Sequence, residues 1–285
     1  MSFFFGLLAA FLSAVLWGSM FVLLKKEKST DMLQFHAFMG VGIALSTLLL
    51  IPAFGLAFTL SIAGFFAGLL WSAGNILSVF AIRDIGLAKA PPIWMSIVMI
   101  MNFAWGTLFF REHLVLLFGI LGIAALVLGA TVVSLAKDDR ASLHFKGIAL
   151  AAVSGVMYGG IGALFKYYNM SNGELLFSMA AGILVSGVAI FALKFRRLEM
   201  NALPAGIAAG TMWNVASLSS LYAIAFLGLA VSMPLTQLAL LVSALWGLFY
   251  FREAKGKTKR KILAGALVML AGGVLLALSK LMTGS

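Results

Sequence analysis

Charged side chains in this chain are confined to short clusters, and the runs between them are long. Residues 1–24, 90–110, 114–136, 147–165, 175–193 and 262–279 carry no Asp, Glu, Lys or Arg. Two further runs are of double length: 32–82, broken only by His36, and 200–251. A helix needs about 20 apolar residues to cross the hydrocarbon core of a bilayer. Six single runs and two double ones therefore give ten spans, the double runs dividing at Pro52–Thr59 and Leu227–Val231. Lipid cannot satisfy free backbone groups, so each span must be a helix or a strand of a closed barrel. The runs lack the alternation of barrel strands, which selects helices. With 63% hydrophobic and 10% charged residues and a mean hydropathy of +1.10, the chain could not cover a soluble domain with polar surface. The first run has no basic leading segment and is read as a structural span rather than a secretion signal.

The chain is also written twice. Ser13, Trp17, Gly18 and Lys25 recur 141 residues later as Ser154, Tyr158, Gly159 and Lys166. Gly64, Gly68, Trp71, Gly86 and Pro92 recur 142 residues later as Gly206, Gly210, Trp213, Gly228 and Pro234. Phe110-Arg111-Glu112 returns as Phe251-Arg252-Glu253. The division read from this is a first five-helix repeat over 1–136, a cytoplasmic linker over 137–146 and a second repeat over 147–285. Five spans is an odd number, so the second copy enters from the opposite face. The connectors agree: wherever one copy has a basic loop, its counterpart is poor in basic residues. The expected fold is all-α and integral to the membrane, ten transmembrane helices as two inverted five-helix repeats. Inverted repeats are typical of alternating-access carriers.

A net charge of +11 in a soluble protein would suggest nucleic acid, but here it reads as topology. Seventeen of the twenty basic residues fall on the odd-numbered connectors; only Arg111, Lys166 and Lys280 fall on the other side. The basic side is expected in the cytoplasm and both termini outside, in a cell (plasma or inner) membrane. The cluster Lys255–Lys261 would meet anionic lipid headgroups as a by-product. No nucleic-acid partner follows.

Polar groups in mid-span mark what lines the middle. Residues i, i+4 and i+7 share one face of a helix. Trp71, Asn75 and Ser78 form such a stripe on the third span, and Trp213, Ser217 and Ser220 its partner on the eighth, with Asn214 beside it. Trp17 on the first span is answered by Tyr158 on the sixth; the fourth offers Asn102 and the ninth Gln237. Amides are costly in lipid unless they face another helix or a wet cavity. Rings beside amides suit a neutral polyol: the ring stacks on C–H groups and the amide both donates to and accepts from hydroxyls. Trp17, Trp71, Asn75, Asn102, Tyr158, Trp213, Asn214 and Gln237 are therefore the candidate solute-binding residues. The bland alternative is hydrogen bonding between helices, and for the serines it is preferred, since a serine can bond back to its own helix. Trp94 and Trp246 are read as packing or interface residues, and Gly64-x-x-x-Gly68, Gly206-x-x-x-Gly210 and Gly155-x-x-x-Gly159 as close helix contacts.

No Asp or Glu lies in the middle of any span. Proton coupling usually needs a carboxylate or histidine relay in the membrane, and only His36 and Glu174 come near that role, each at an interfacial position. Lys25 and Lys166 end the first and sixth spans at equivalent places, where snorkelling accounts for them and their symmetry admits a gating role. The chain has no cysteine, and His36, His113 and His144 lie on separate connectors or helix ends. No metal-ligand spacing or catalytic cluster is present, so neither a cofactor, a metal nor an enzyme is expected.

Trp17-Gly-Ser-Met-Phe-Val-Leu-Leu-Lys25, Gly68-Leu-Leu-Trp-Ser-Ala-Gly-Asn75, Ile85-Gly-Leu-Ala-Lys-Ala-Pro-Pro-Ile93 and Gly256-Lys-Thr-Lys-Arg260 carry a resemblance. With the five-plus-five repeat, the chain resembles the drug/metabolite transporter superfamily and, within it, the glucose/ribose porter family. The resemblance implies a central cavity between the halves, peripheral fifth and tenth spans, and monosaccharide uptake with protons as the driving ion. The second function carried forward is export of amino acids or other small metabolites on the same architecture. Nucleotide sugars are disfavoured, because no basic residue lies in mid-membrane to hold phosphate.

Overall fold

The computed structural model describes residues 2–26, 31–85, 90–136, 145–194, 200–252 and 255–283. Among them there is no strand. The helices are α1 (Ser2–Lys26), α2 (Met32–Ala53), α3 (Ile62–Ile85), α4 (Ala90–Ala104), α5 (Leu116–Ala136), α6 (Phe145–Tyr167), α7 (Asn172–Lys194), α8 (Leu203–Leu227), α9 (Leu229–Thr236), α10 (Ala239–Leu245) and α11 (Gly256–Leu281). The double runs divide where expected: α2 ends beside Pro52, and α8 gives way to α9 at Gly228, whose φ of +81° only glycine adopts freely. Among the described residues, nine spans are long and apolar enough to cross a membrane by composition alone. The remaining helix, α8, is diluted by Trp213, Asn214, Ser217 and Ser220.

Two features differ from the expected single rods. The ninth span is broken into α9 and α10 at Gln237–Leu238. Pro234 lies inside α9, where its missing N–H leaves the Ala230 carbonyl without its helical donor. Second, α4 and α10 each run into a π-helical turn, Trp105–Phe109 and Trp246–Tyr250. The two turns occupy equivalent places in the repeats, Trp105-Gly-Thr-Leu-Phe-Phe-Arg-Glu112 against Trp246-Gly-Leu-Phe-Tyr-Phe-Arg-Glu253. Each is followed by an arginine in the left-handed region, Arg111 at φ +50° and Arg252 at +53°.

The inverted repeat shows in the packing. If α1–α3 answer α6–α8, α4 answers α9–α10, and α5 answers α11, every major contact maps onto another. Thus α3 lies on α6 and α7, as α8 lies on α1 and α2; α4 lies on α6, as α10 lies on α1; and α5 and α11 lie on each other. The halves therefore interlock, and the linker expected at 137–146 falls largely on residues outside those described. Small residues make this possible. A Cβ on Gly64 would stand 2.6 Å from Ser178 Cβ of α7, and Gly68 meets the Met179 carbonyl of the same helix. Gly206 and Gly210 meet Phe38 and Met39 of α2, and Gly155 and Gly159 meet Trp94 and Met101 of α4. Large apolar side chains such as Leu8, Leu49, Leu128 and Val188 point outward, as a lipid-facing surface requires.

Candidate functional site

A cavity of about 220 Å³ lies in the centre of the bundle, lined from α1–α4 and α6–α10 and by no residue of α5 or α11. It is smaller than the roughly 300–1,000 Å³ of most ligand clefts, which scales it to a small solute. Its core is the pair Trp71 and Trp213, equivalent residues of the two repeats, with ring centroids 4.6 Å apart at 53°. Trp17 joins them by donating from Nε1 to the Trp213 carbonyl at 3.3 Å.

One chain of polar contacts runs along the wall. Asn75 Nδ2 lies 2.7 Å from His36 Nδ1. With the amide as donor, the ring proton resides on Nε2. Tyr158 OH donates to Asn75 Oδ1 at 3.4 Å and lies 3.1 Å from Ser78 Oγ. The His36 ring stacks on Trp71 at 5.5 Å and 29°. His36 is the main correction to its expected interfacial place: it is 1% exposed and lines the cavity. Its Nε2 finds no partner among the described residues.

The other expected residues divide. Gln237 lines the cavity at the break between α9 and α10, its Nε2 donating to Thr236 Oγ1 at 3.2 Å. Broken helices at a cavity are a recurring transporter device, because loosened backbone is tolerated only there. Asn214 touches the cavity, but its Nδ2 is committed to α2, donating to Ile43 O at 3.3 Å and to Ser46 Oγ and Thr47 Oγ1 at 2.9 Å each. Asn102 is not on the cavity; it donates to Val98 O of its own helix at 2.9 Å and faces Gly162 of α6. Glu174 also lies elsewhere, pairing with Ser171 in a capping box at the start of α7: Ser171 N donates to Glu174 Oε2, and Glu174 N to Ser171 Oγ. Lys166 forms an ion pair with Glu112, while the side chain of Lys25 lies outside those described. Ser217 and Ser220 bond back to their own helix, as expected, while still lining the cavity. Trp246 donates to Ser19 Oγ at 2.9 Å, a packing role, whereas Trp94 both packs and lines the cavity.

Some of the lining gave no sequence signal. From α7 it consists of Leu175, Leu176 and Met179, apolar residues in a span that is apolar throughout. Glu112 sits at a span end, where a charged side chain by itself marks nothing. The repetition of Phe-Arg-Glu at the same place in both halves is the signal that marks it.

A family model described as sugar transport protein matches residues 8–279. The chain belongs to the sugar transport protein family. Its resemblance to the glucose/ribose porters thus holds at family level. A relative in Listeria monocytogenes is 24% identical over 290 residues, covering 96% of this chain and 99% of that protein. The glucose uptake protein of Bacillus subtilis is 27% identical over 237 residues, 79% of this chain and 81% of that one. A crystal structure 13% identical in sequence matches with a TM-score of 0.80 over 98% of this chain and 99% of the other, a likeness of fold alone. With its membrane-spanning helices, the chain is thus a multi-pass membrane protein of a transport family.

Proposed function

We propose that this family member is a secondary carrier that moves a monosaccharide, glucose or ribose, across the membrane by alternating access. The observation that carries this reading is the meeting of Trp71 and Trp213 over the chain His36–Asn75–Tyr158–Ser78. The aromatic faces suit the C–H face of a sugar ring, and the amide, imidazole and hydroxyls suit its hydroxyls. No Asp, Glu, Lys or Arg is among the lining residues. A neutral solute fits such a wall; the zwitterion of an amino acid, needing charged partners for two groups, fits it less well. The name of the Bacillus subtilis relative points the same way. Trp17, Trp71, Asn75, Tyr158, Trp213 and Gln237 are assigned to the solute, with His36 added to them. Proton coupling is assigned to His36, since Glu174 is a helix cap. The orientation proposed keeps both termini outside and the basic loops in the cytoplasm, with the repeats dividing near residues 136–147. Lys166, in contact with Glu112, and Lys280, donating to His113 O at 3.4 Å, lie at the end of the bundle assigned to the outside.

Equilibrium binding of radiolabelled glucose and ribose to the purified protein tests this. Saturable binding is expected, lowered by about tenfold in Asn75→Ala, the loss that follows removal of roughly one hydrogen-bonding group from a dry site. Displacement of the bound sugar by unlabelled sugar and not by leucine or phenylalanine is the accompanying expectation. Binding of the amino acids in place of sugars would transfer the reading to a metabolite exporter.

A further inference from the structure

We infer that Glu112 is the gate residue at its end of the transport path: its carboxylate latches the first repeat to the second there, and release of that latch opens the cavity on that side. The inference deepens the alternating-access reading and rests on it.

The latch is built locally first. The π turn at Trp105–Phe109 ends with Phe110 N donating to Trp105 O, and Glu112 N then donates to Gly106 O, both at 2.9 Å. Arg111, at φ +50°, reverses the chain between them. The sequence accepts a left-handed arginine and a widened helical turn, both unfavourable, and the result is to aim one carboxylate inward. Glu112 is 9% exposed in its side chain.

That carboxylate then holds three groups of the second repeat. Leu229 N donates to Oε1 at 2.7 Å, Ala230 N donates to Oε2 at 2.8 Å, and Lys166 Nζ donates to Oε1. The two amides are the first free donors of α9, and the cation sits at the end of α6. Gly228 is fitted to the same purpose twice over: its φ is +81°, and a Cβ there would stand 2.6 Å from Glu112 Oε2. Charge-assisted bonds to a carboxylate withdrawn from water are among the stronger polar contacts. Every acceptor direction used here crosses between repeats, so the contact cannot survive a separation of α4 from α6 and α9.

Its position makes that separation functional. Leu229, held by the latch, shares one apolar cluster with Trp71, Trp213 and Ile224, against which Phe110 and Phe165 pack. Ile224 and Phe165 line the cavity. Lys166 lies 4.9 Å over the Phe110 ring. The latch thus sits immediately beyond the apolar residues that roof the cavity at this end. Because its charges neutralise one another, a neutral solute gains nothing by displacing them, which distinguishes a gate from a binding group.

The chain has no cysteine, so single cysteines report access directly. Ile224→Cys marks the latch end of the cavity and Ile82→Cys the opposite end, both labelled in proteoliposomes with a membrane-impermeant maleimide from each side. In Glu112→Gln, labelling of the cysteine at 224 should rise by about tenfold and that at 82 should fall, the shift expected when one state of a two-state equilibrium loses a charge-assisted contact. Lys166→Gln, which leaves both amides bonded to Glu112, should move both rates in the same directions by less, and it carries the test if Glu112→Gln fails to fold. Unchanged labelling at both positions in folded protein, or a rise at both together as in a merely loosened bundle, would overturn the inference. Labelling needs no solute, so reciprocal shifts in a protein that binds no sugar would discard the sugar reading and keep the latch.

Discussion

Asn75, one helical turn from Trp71, and Asn214, next to Trp213, are both mid-membrane amides, yet they serve different ends. Asn214 clamps α8 to α2 through three acceptors, while Asn75 links cavity side chains to one another. Replacing Asn214 by leucine should lower stability by about 1–2 kcal/mol, the upper range for polar contacts between membrane helices, measured by thermal unfolding in detergent. The loss stays small because Ser46 and Thr47 keep their bonds to Gly42 O and Ile43 O. A loss of solute binding at unchanged stability would instead put Asn214 in the site. From the sequence these two amides looked alike, since residue type and depth are legible but the facing helix is not. His36 shows the same limit. Its place near a span end reads as interfacial, whereas in the fold it is buried and Asn75 of α3 holds its ring.

At the scale of helices, the bundle depends on glycines at the crossings between repeats. Gly64→Leu should prevent α3 from seating on α7, because Ser178 Cβ occupies the space. Overpacking of this kind typically costs about 1–3 kcal/mol or more, so the yield of folded protein by size-exclusion chromatography should fall sharply. Gly160→Leu, with no atom within 4 Å of the added Cβ, should fold normally and serves as the control. Equal behaviour of the two variants would remove the crossings from the account. The spans themselves were legible because lipid forces any charge-free run to be a helix. The break of the ninth span was not, because nothing in the sequence marks Gln237–Leu238 as the place where the helix stops. The π turns were equally hidden, as nothing in Trp-Gly-x-x-x separates a widened turn from a regular one.

For the whole molecule, the internal repeat carried most of the fold. It paired Trp71 with Trp213 and Trp17 with Tyr158, and all four line the cavity; α8, for all its polar side chains, was legible as half of the charge-free run 200–251. The repeat does not specify the solute, because apolar walls from α7 and a few shared polar groups leave several neutral molecules admissible. On this reading the two-fold cavity carries a sugar across the membrane. Counterflow of radiolabelled glucose and ribose in proteoliposomes, with and without an imposed pH gradient, tests it most directly. Saturable counterflow of one or both sugars in the native protein, lost in Trp213→Ala and in Asn75→Ala, is the predicted result, and acceleration of net uptake by the gradient that disappears in His36→Gln would assign coupling to His36. Absence of counterflow for both sugars from protein shown to be folded would contradict the account.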